Sequence, residues 1–401
     1  MHDPTRESDW SLVEAQLPSG WRELAEGMRL IRKLPEHIGQ KINDIEVVLR
    51  LVLHYVSQQG SMRQTIASAA ASGLVSISQV AFFKWMAKIG KYLEALIALM
   101  VDQTVYSAAA WGGYQLIAAD ATCVERPGAT GTTARLHYAL RLSTLSPRAI
   151  RITDETGGET MRNFDPEEGE LWILDRGYSN PPCVETVRDA KADILVRLNR
   201  HSMPLCTANA TPIDVAALLR STTERGCAHE RKVYVRTKSG RMFAARLCWI
   251  RLLPDDARKA RARAKREGAK DNGEFDLHEY VAIVTTADAS RINTGQVLDL
   301  YRARWQIELN FKRDKSLGEL DKLPNLIPST IHSWICGKVL LNLIVQRLSA
   351  RKVNVSPSGI AVIVFRTPKA TADTSAQPRT LVRDTASLDD GAGGSAIHRA
   401  A

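Results

Sequence analysis

The residues that could do chemistry are acids at the ends of apolar runs. Asp120 follows Leu116-Ile117-Ala118-Ala119 and Asp175 follows Leu171-Trp172-Ile173-Leu174, so each is expected to project from the end of a buried strand. After Asp175 comes Arg176-Gly177-Tyr178, where the glycine permits a sharp turn out of the sheet. Carboxylates at the ends of adjacent buried strands repel one another and lose hydration, and a divalent metal is the natural cation to offset both. Taken singly, either aspartate could instead be a turn former or a helix N-cap.

A third acid lies in a helix predicted over residues 294–317. At roughly 100° per residue, Tyr301, Arg304, Glu308 and Lys315 fall within an arc of about 60°. Leu300, Ile307 and Phe311 flank this line on one side and Leu298, Trp305 and Leu309 on the other, while Asp299, Arg302, Gln306, Asn310 and Arg313 take the far face. An ordinary surface helix has one apolar stripe and one polar face. A second polar line between two apolar stripes is expected to look into the protein, where it would be costly without a charged ligand. Phosphate with a metal ion meets the demand: the carboxylate can coordinate the metal, Arg and Lys can hold phosphate oxygens, and the phenol can hydrogen-bond one. A solvated Arg304–Glu308 pair at the i, i+4 spacing explains two of the four residues and leaves the other two without a reason.

The elements that must position these groups change character along the chain. Residues 1–110 read as helical, with apolar spacings of three and four through Trp21 to Leu34, Ile45 to Val56, Thr65 to Ala71, Gln79 to Ile89 and Tyr92 to Val105. A Ser72-Gly73-Leu74 break could join two short helices by a tight turn as a helix-turn-helix, the second carrying Lys84, Lys88 and Lys91; a plain helical hairpin fits the pattern as well. From Tyr114 short alternating or β-branched runs take over: Gln115 to Ala119, Leu136 to Leu142, Ala149 to Thr153, Leu171 to Leu174 and Asp193 to Leu198, with a helix from Cys183 to Ala190 before the last. Three strands in meander order, then strand, helix and strand, predict an α/β sheet with an antiparallel and a parallel half. Residues 199–292 are β-rich again, with runs at Lys232 to Arg236, Phe243 to Leu253 and Tyr280 to Thr285, and read as an inserted domain. Within it, Asp255 to Lys270 is a basic run, a solvated helix or loop that becomes a plausible backbone contact if the protein meets phosphate. Another apolar helix is expected from Thr330 to Leu348, and the stretch from about Thr367 is too poor in large apolar residues to order itself.

The spacing Tyr301-x2-Arg304-x3-Glu308-x6-Lys315 resembles, without a gap, the Tyr-Arg-Glu-Lys signature of bacterial DDE transposases of the insertion-sequence 4 family. Residues 301–312, Tyr-Arg-Ala-Arg-Trp-Gln-Ile-Glu-Leu-Asn-Phe-Lys, also resemble the family's wording around its glutamate. Asp120-Ala121-Thr122 and Asp175-Arg176-Gly177-Tyr178 then stand where the family's first and second aspartates occur, although the family often has glycine where Ala121 stands. The resemblance covers roughly residues 40–350 and implies an RNase H-like mixed sheet with helices, interrupted by a β-rich insertion and preceded by an all-α N-terminal domain. The expected division is a helical region over 1–110, a catalytic core over 111–198 and 293–350, the insertion over 199–292, and a low-complexity tail over 351–401. It further implies Asp120, Asp175 and Glu308 as catalytic ligands of two Mg2+ or Mn2+ ions, converging from distant stretches. Tyr301, Arg304 and Lys315, with Arg176 and Lys312, would contact DNA. The implied partners are double-stranded DNA, both terminal inverted repeats and target, and a second copy of the chain in synapsis. The implied reaction is phosphodiester hydrolysis and strand transfer in cut-and-paste movement, commonly through a hairpin end.

Composition agrees with this without requiring it. The chain has 401 residues, 44% of them apolar, enough for a sizeable core, and a net charge of +10 that favours a polyanionic partner. Six scattered cysteines without a C-x-x-C pair disfavour a structural zinc site and a secreted disulfide scaffold, and suit a reducing cytoplasm. No unbroken apolar stretch is long enough to suggest a membrane span. Nine scattered histidines and the lack of a G-x-S-x-G elbow give little support to a metal-free hydrolase. Two alternatives remain: a DNA-binding derivative that has lost cleavage, and a metal-dependent nuclease without strand transfer.

Overall fold

Parallel pairing of three largely apolar strands sets the centre of the molecule. The computed structural model describes residues 7–31, 42, 44–58, 60–102, 111–128, 131–269, 275–316, 318–320, 322–324 and 327–352. The stretch from about Thr367 lies outside them. Strands β1 (Gln115–Val124), β4 (Glu170–Leu174) and β5 (Asp193–Arg197) run parallel, and β2 (Ala134–Arg141) and β3 (Ser146–Asp154) add antiparallel to the free side of β1. Every residue of β4 is buried, as expected of a strand covered on both faces. The stretch 199–292 contributes β6 (Leu205–Cys206), β7 (Ala228–Arg236), β8 (Met242–Arg251) and β9 (Tyr280–Thr285) to the same sheet, because β9 pairs antiparallel with β5. The mixed sheet has nine strands in the order β3-β2-β1-β4-β5-β9-β8-β7-β6.

Among the described residues up to 102 there are six helices and no strand: α1 (Glu7–Glu14), α2 (Trp21–Gly27), α3 (Ile45–Ser57), α4 (Met62–Ala71), α5 (Gln79–Lys88) and α6 (Gly90–Asp102). Helix α4 starts with a capping box of Ser61 and Gln64, and α5 with Ser78 accepting from the Ala81 backbone N–H. The expected tight turn between these two is instead the longer connection 72–78, since α4 stops at Ala71 and α5 begins only after its Ser78 cap. Lys84, Lys88 and Lys91 are exposed.

Later helices are α7 (Pro181–Asp189), α8 (Val215–Arg220), α9 (Pro254–Arg266), α10 (Thr294–Ala303), α11 (Trp305–Ser316) and α12 (Pro328–Lys352). The apolar α12 packs on α3, α5 and α6, so its buried Ile335, Leu340 and Ile344 share one core with Leu49, Leu53, Phe82 and Leu96. A second core, with Trp172, Ile194, Val187 and Leu219, lies between the sheet and helices α7 and α8. No helix of the described residues is long and apolar enough to cross a membrane, and all six cysteines are free.

The single helix expected over 294–317 is two. It breaks at Arg304, where Ile307 N–H donates to the Arg304 carbonyl in a tightened turn. α10 packs on β5, β7, β8 and β9, whereas α11 packs on β1, and one straight rod cannot follow both surfaces. The break resets the phase of the second half. Trp305, expected in an apolar stripe, is exposed, and Asn310, expected on the outer face, is buried and donates to Asp314 at 3.2 Å.

Candidate active site

The register of β1 and β4 puts two acids side by side. Ala119 pairs with Leu174, the last parallel pair, so Asp120 and Asp175 are each the next residue at the open end of that ladder. Asp120 is not the end of its own strand, as expected, because β1 runs on to Val124 against β2, with Asp120 opposite Tyr138. Asp175 leaves the sheet into a short 3-10 turn over Arg176–Tyr178.

Across the helix break, Arg304 reaches all three predicted acids. Its Nη1 lies 3.3 Å from Asp120 Oδ2, its Nε 4.0 Å from Asp175 Oδ1 and its Nη2 2.6 Å from Glu308 Oε1. Tyr301 Oη donates to Asp175 Oδ1 at 3.0 Å. Five predicted residues therefore meet: Asp120, Asp175, Tyr301, Arg304 and Glu308. As they stand, no three acidic, histidine or cysteine side chains among the described residues are close enough to hold one ion, because the guanidinium is seated among the carboxylates.

The electrostatics are those of a crowded anion cluster sharing one cation. Burial raises Asp120 to about 6; the Ala121 backbone N–H and Arg304 pull the other way, while Asp175 and Glu159 push it up further. Burial also works to raise Asp175, but Arg304, the Arg176 backbone N–H and Tyr301 outweigh it and its pKa falls. Tyr301 is pushed up to about 12 by burial and by Asp175. Although burial opposes it, Arg304 is held above the usual guanidinium range by Asp175, Tyr301, Asp120 and Glu308. Its Nε is buried and makes no hydrogen bond.

Lys315 is half-buried and Lys312 exposed on α11; neither touches an acid of the cluster. Arg176 borders a separate cleft of about 280 Å³ with Arg197, Arg200, His201 and His278 over an apolar floor. Burial and the neighbouring Arg197 and Arg200 lower the Arg176 pKa, as expected where several cations crowd together. Helix α9, from the basic run, sends Arg263 close enough to feel Glu308 and Asp175. Sequence reasoning missed Glu159, Arg197 and Arg200; the last two lie at and just past the end of β5, where a search around the ends of the parallel strands finds them.

Hard carboxylate oxygens from neighbouring strand ends are the donor set that Mg2+ and Mn2+ take. By donor type the three carboxylates gathered on Arg304 suit such an ion, but only with the guanidinium moved from among them.

A family model described as a transposase DDE domain matches residues 111–324. InsL of insertion sequence element IS186A in Escherichia coli K12, named as a transposase, is 28% identical over 328 residues, covering 79% of this chain and 88% of that protein. The transposase for insertion sequence element IS421 of Escherichia coli is 28% identical over 329 residues, with the same shares covered, 79% and 88%. Among solved structures, the piggyBac transposase in a synaptic complex with hairpin DNA aligns over 94% of this chain and 87% of that one at 10% identity, with a TM-score of 0.38, too low to carry an argument.

Proposed function

Because the chain belongs to the transposase DDE domain family, we propose that it moves a bacterial insertion sequence by cut-and-paste, cleaving phosphodiesters at the element's ends and joining them to target DNA. We place it in the insertion-sequence 4 family, on the spacing of Tyr301, Arg304, Glu308 and Lys315. The order β3-β2-β1-β4-β5 supports an RNase H-like core, with 199–292 as its insertion and the helices before residue 110 as a DNA-reading region. The observation that carries the reading is the gathering of Asp120, Asp175 and Glu308 around one guanidinium.

Asp120, Asp175 and Glu308 would hold two Mg2+ or Mn2+ ions, whose chemistry is to activate water or a 3′-hydroxyl and to stabilise the leaving oxygen. Tyr301 fixes the orientation of Asp175 by its hydrogen bond. Arg304 would turn from the acids to a phosphate oxygen, exchanging one set of anions for another. Lys315, Lys312 and Arg176 hold flanking phosphates, and the Arg197–Arg200 wall extends that basic track. Two copies of the chain would bring two ends together in the cytoplasm.

The test is cleavage of a labelled duplex spanning the element's end and its flank, with Mg2+. The parent is expected to cut, while Asp120→Ala, Asp175→Ala and Glu308→Ala bind and do not cut. Cutting by Glu308→Ala at the parental rate overturns the site, and a parent that binds but never cuts favours a DNA-binding derivative.

A further inference from the structure

Arg304 sits where a cation of the acid cluster would have to sit. Its guanidinium lies 3.3 Å from Asp120, 4.0 Å from Asp175 and 2.6 Å from Glu308. Among the described residues no three acidic, histidine or cysteine side chains come close enough to hold one ion. A guanidinium and a divalent ion cannot share these oxygens, because Mg2+ needs them at about 2.0–2.1 Å and two cations side by side repel strongly. Either Arg304 holds the acids or a metal does.

The hydrogen bonds show that this arginine is loosely seated. A guanidinium has five N–H donors. Those of Arg304 make two hydrogen bonds among the described residues, 2.6 Å to Glu308 Oε1 and a long 3.3 Å to Asp120 Oδ2. Its Nε is buried without a partner, and the Glu308 side chain it holds is 52% exposed. Arg148 shows what a structural arginine looks like in the same protein: its Nε donates to Glu170 Oε1 at 2.7 Å and its Nη2 to the Asp165 carbonyl at 3.0 Å and to Glu167 Oε1 at 2.6 Å. Arg304 is matched to its site in charge and poorly matched in hydrogen bonds. A phosphate group offers two acceptor oxygens at the spacing a guanidinium fits. Asp175 keeps a donor when Arg304 leaves, since Tyr301 Oη bonds it at 3.0 Å.

We propose that Arg304 gates the cation site: it fills the acid cluster in the free protein and yields it to a metal ion when a DNA phosphate draws the guanidinium away. The proposal rests on the metal-dependent reading above and adds to it the order of events. Metal and DNA binding are then linked, and the linkage is reciprocal: the factor by which DNA tightens metal binding is the factor by which the metal tightens DNA binding. A chain without DNA holds a closed site, so cleavage chemistry is assembled only on its substrate.

The probe is Mn2+ alone, followed on the full chain by calorimetry and by loss of the free-ion paramagnetic signal, with and without a duplex that stops at the element's end and so offers no flanking bond to cut. Without DNA, Arg304→Gln is expected to bind Mn2+ at least about tenfold more tightly than the parent. The duplex is expected to raise the parental Mn2+ affinity at least about tenfold more than it raises that of Arg304→Gln, which has no gate left to open. Equal enhancement in the two chains overturns the gate, because loss of a nearby positive charge tightens Mn2+ binding by itself but leaves unchanged what the duplex adds. Arg304→Gln binding Mn2+ no more tightly than the parent also overturns it. Adding Asp120→Asn to Arg304→Gln separates the gate from the site: strong loss of Mn2+ binding in the double variant leaves the acids as ligands whatever becomes of the gate, whereas unchanged affinity overturns the site reading and the gate with it. The reciprocal measurement needs no variant. At fixed ionic strength Mn2+ should tighten duplex binding by the parent, and a duplex affinity indifferent to Mn2+ overturns the proposal.

Discussion

The two ends of the parallel strands handle buried charge in opposite ways. At the amino end of β4, Glu170 is almost fully buried and accepts from Arg148 Nε at 2.7 Å, the Glu167 backbone N–H at 2.8 Å and Trp172 Nε1 at 3.0 Å. At the amino end of β5, Asp193 accepts from Tyr114 Oη and Thr286 Oγ1, each at 2.7 Å, and from Arg188. Each acid there has its own donors, and the arrangement is complete within the protein. At the carboxyl ends, Asp120, Asp175 and Glu308 share one arginine, and Arg304 Nε and Tyr178 Oη make no hydrogen bond. Buried polar groups that satisfy one another hold a fold together; those that do not are waiting for something. That the incomplete end is the carboxyl end agrees with where ligands bind in open α/β sheets.

The largest expected effect tests this contrast directly. Asp120→Asn should slow end cleavage by about 10³-fold or more, equivalent to about 4 kcal/mol of barrier. Its effect on the fold has the other sign. Burial raises the Asp120 pKa to about 6, so above that pH its charge costs stability, and the metal-free variant should melt at or above the parental temperature at pH 7.5. Glu170→Gln should do the reverse: it leaves Arg148 without its buried partner and should cost about 3 kcal/mol of stability, read as a shifted urea midpoint. Equal destabilisation by the two variants would break the comparison.

A smaller effect belongs to His137, which lies opposite Ala121 beside the cluster but is satisfied by Thr153 Oγ1 at 2.9 Å and Asn163. Burial, with Arg135 and Arg151, lowers its pKa to about 4. Between pH 6.5 and 4 the unfolded chain takes up a proton that the folded chain refuses, so stability falls as pH drops, by on the order of 3 kcal/mol in all. His137→Gln should flatten that part of the stability profile, and an unchanged profile would show that His137 is charged in the fold.

How much of this could be read from the residues depends on whether a feature is local. Asp120 and Asp175 were legible because four apolar residues before each announce a buried strand, and equal run lengths end level in a parallel pair. Helix α12 and strand β9 were legible from their own periodicity. The break at Arg304 was not, since nothing near it in 294–317 signals it: there is no proline, the one glycine is Gly295 in the first turn, and the cause is the different surface under each half. The joining of β9 to β5 is a pairing between distant stretches that local pattern cannot announce. Glu159 escaped for the same reason. A single acid in a loop carries no spacing, and its close approach to Gly177 exists only in the folded chain.

The smallest effects concern the basic residues, and here the two ends offer an internal control. Arg176 borders the open cleft beside Asp175 and is crowded by Arg197 and Arg200, whereas Arg188 is committed to Asp193 at the opposite end. Each phosphate contact that binding forms releases about one counterion, so losing one should reduce the slope of log affinity against log salt by about 0.9. Arg176→Ala and Lys315→Ala should each lower the slope by about that amount for an end duplex, in a filter or anisotropy titration, with a modest loss of affinity at low salt. Arg188→Ala should leave the slope unchanged, because its charge is already spent on Asp193. A drop in slope for Arg188→Ala equal to that for Arg176→Ala would mean that DNA covers both ends of the sheet alike, and the functional asymmetry between them would be lost.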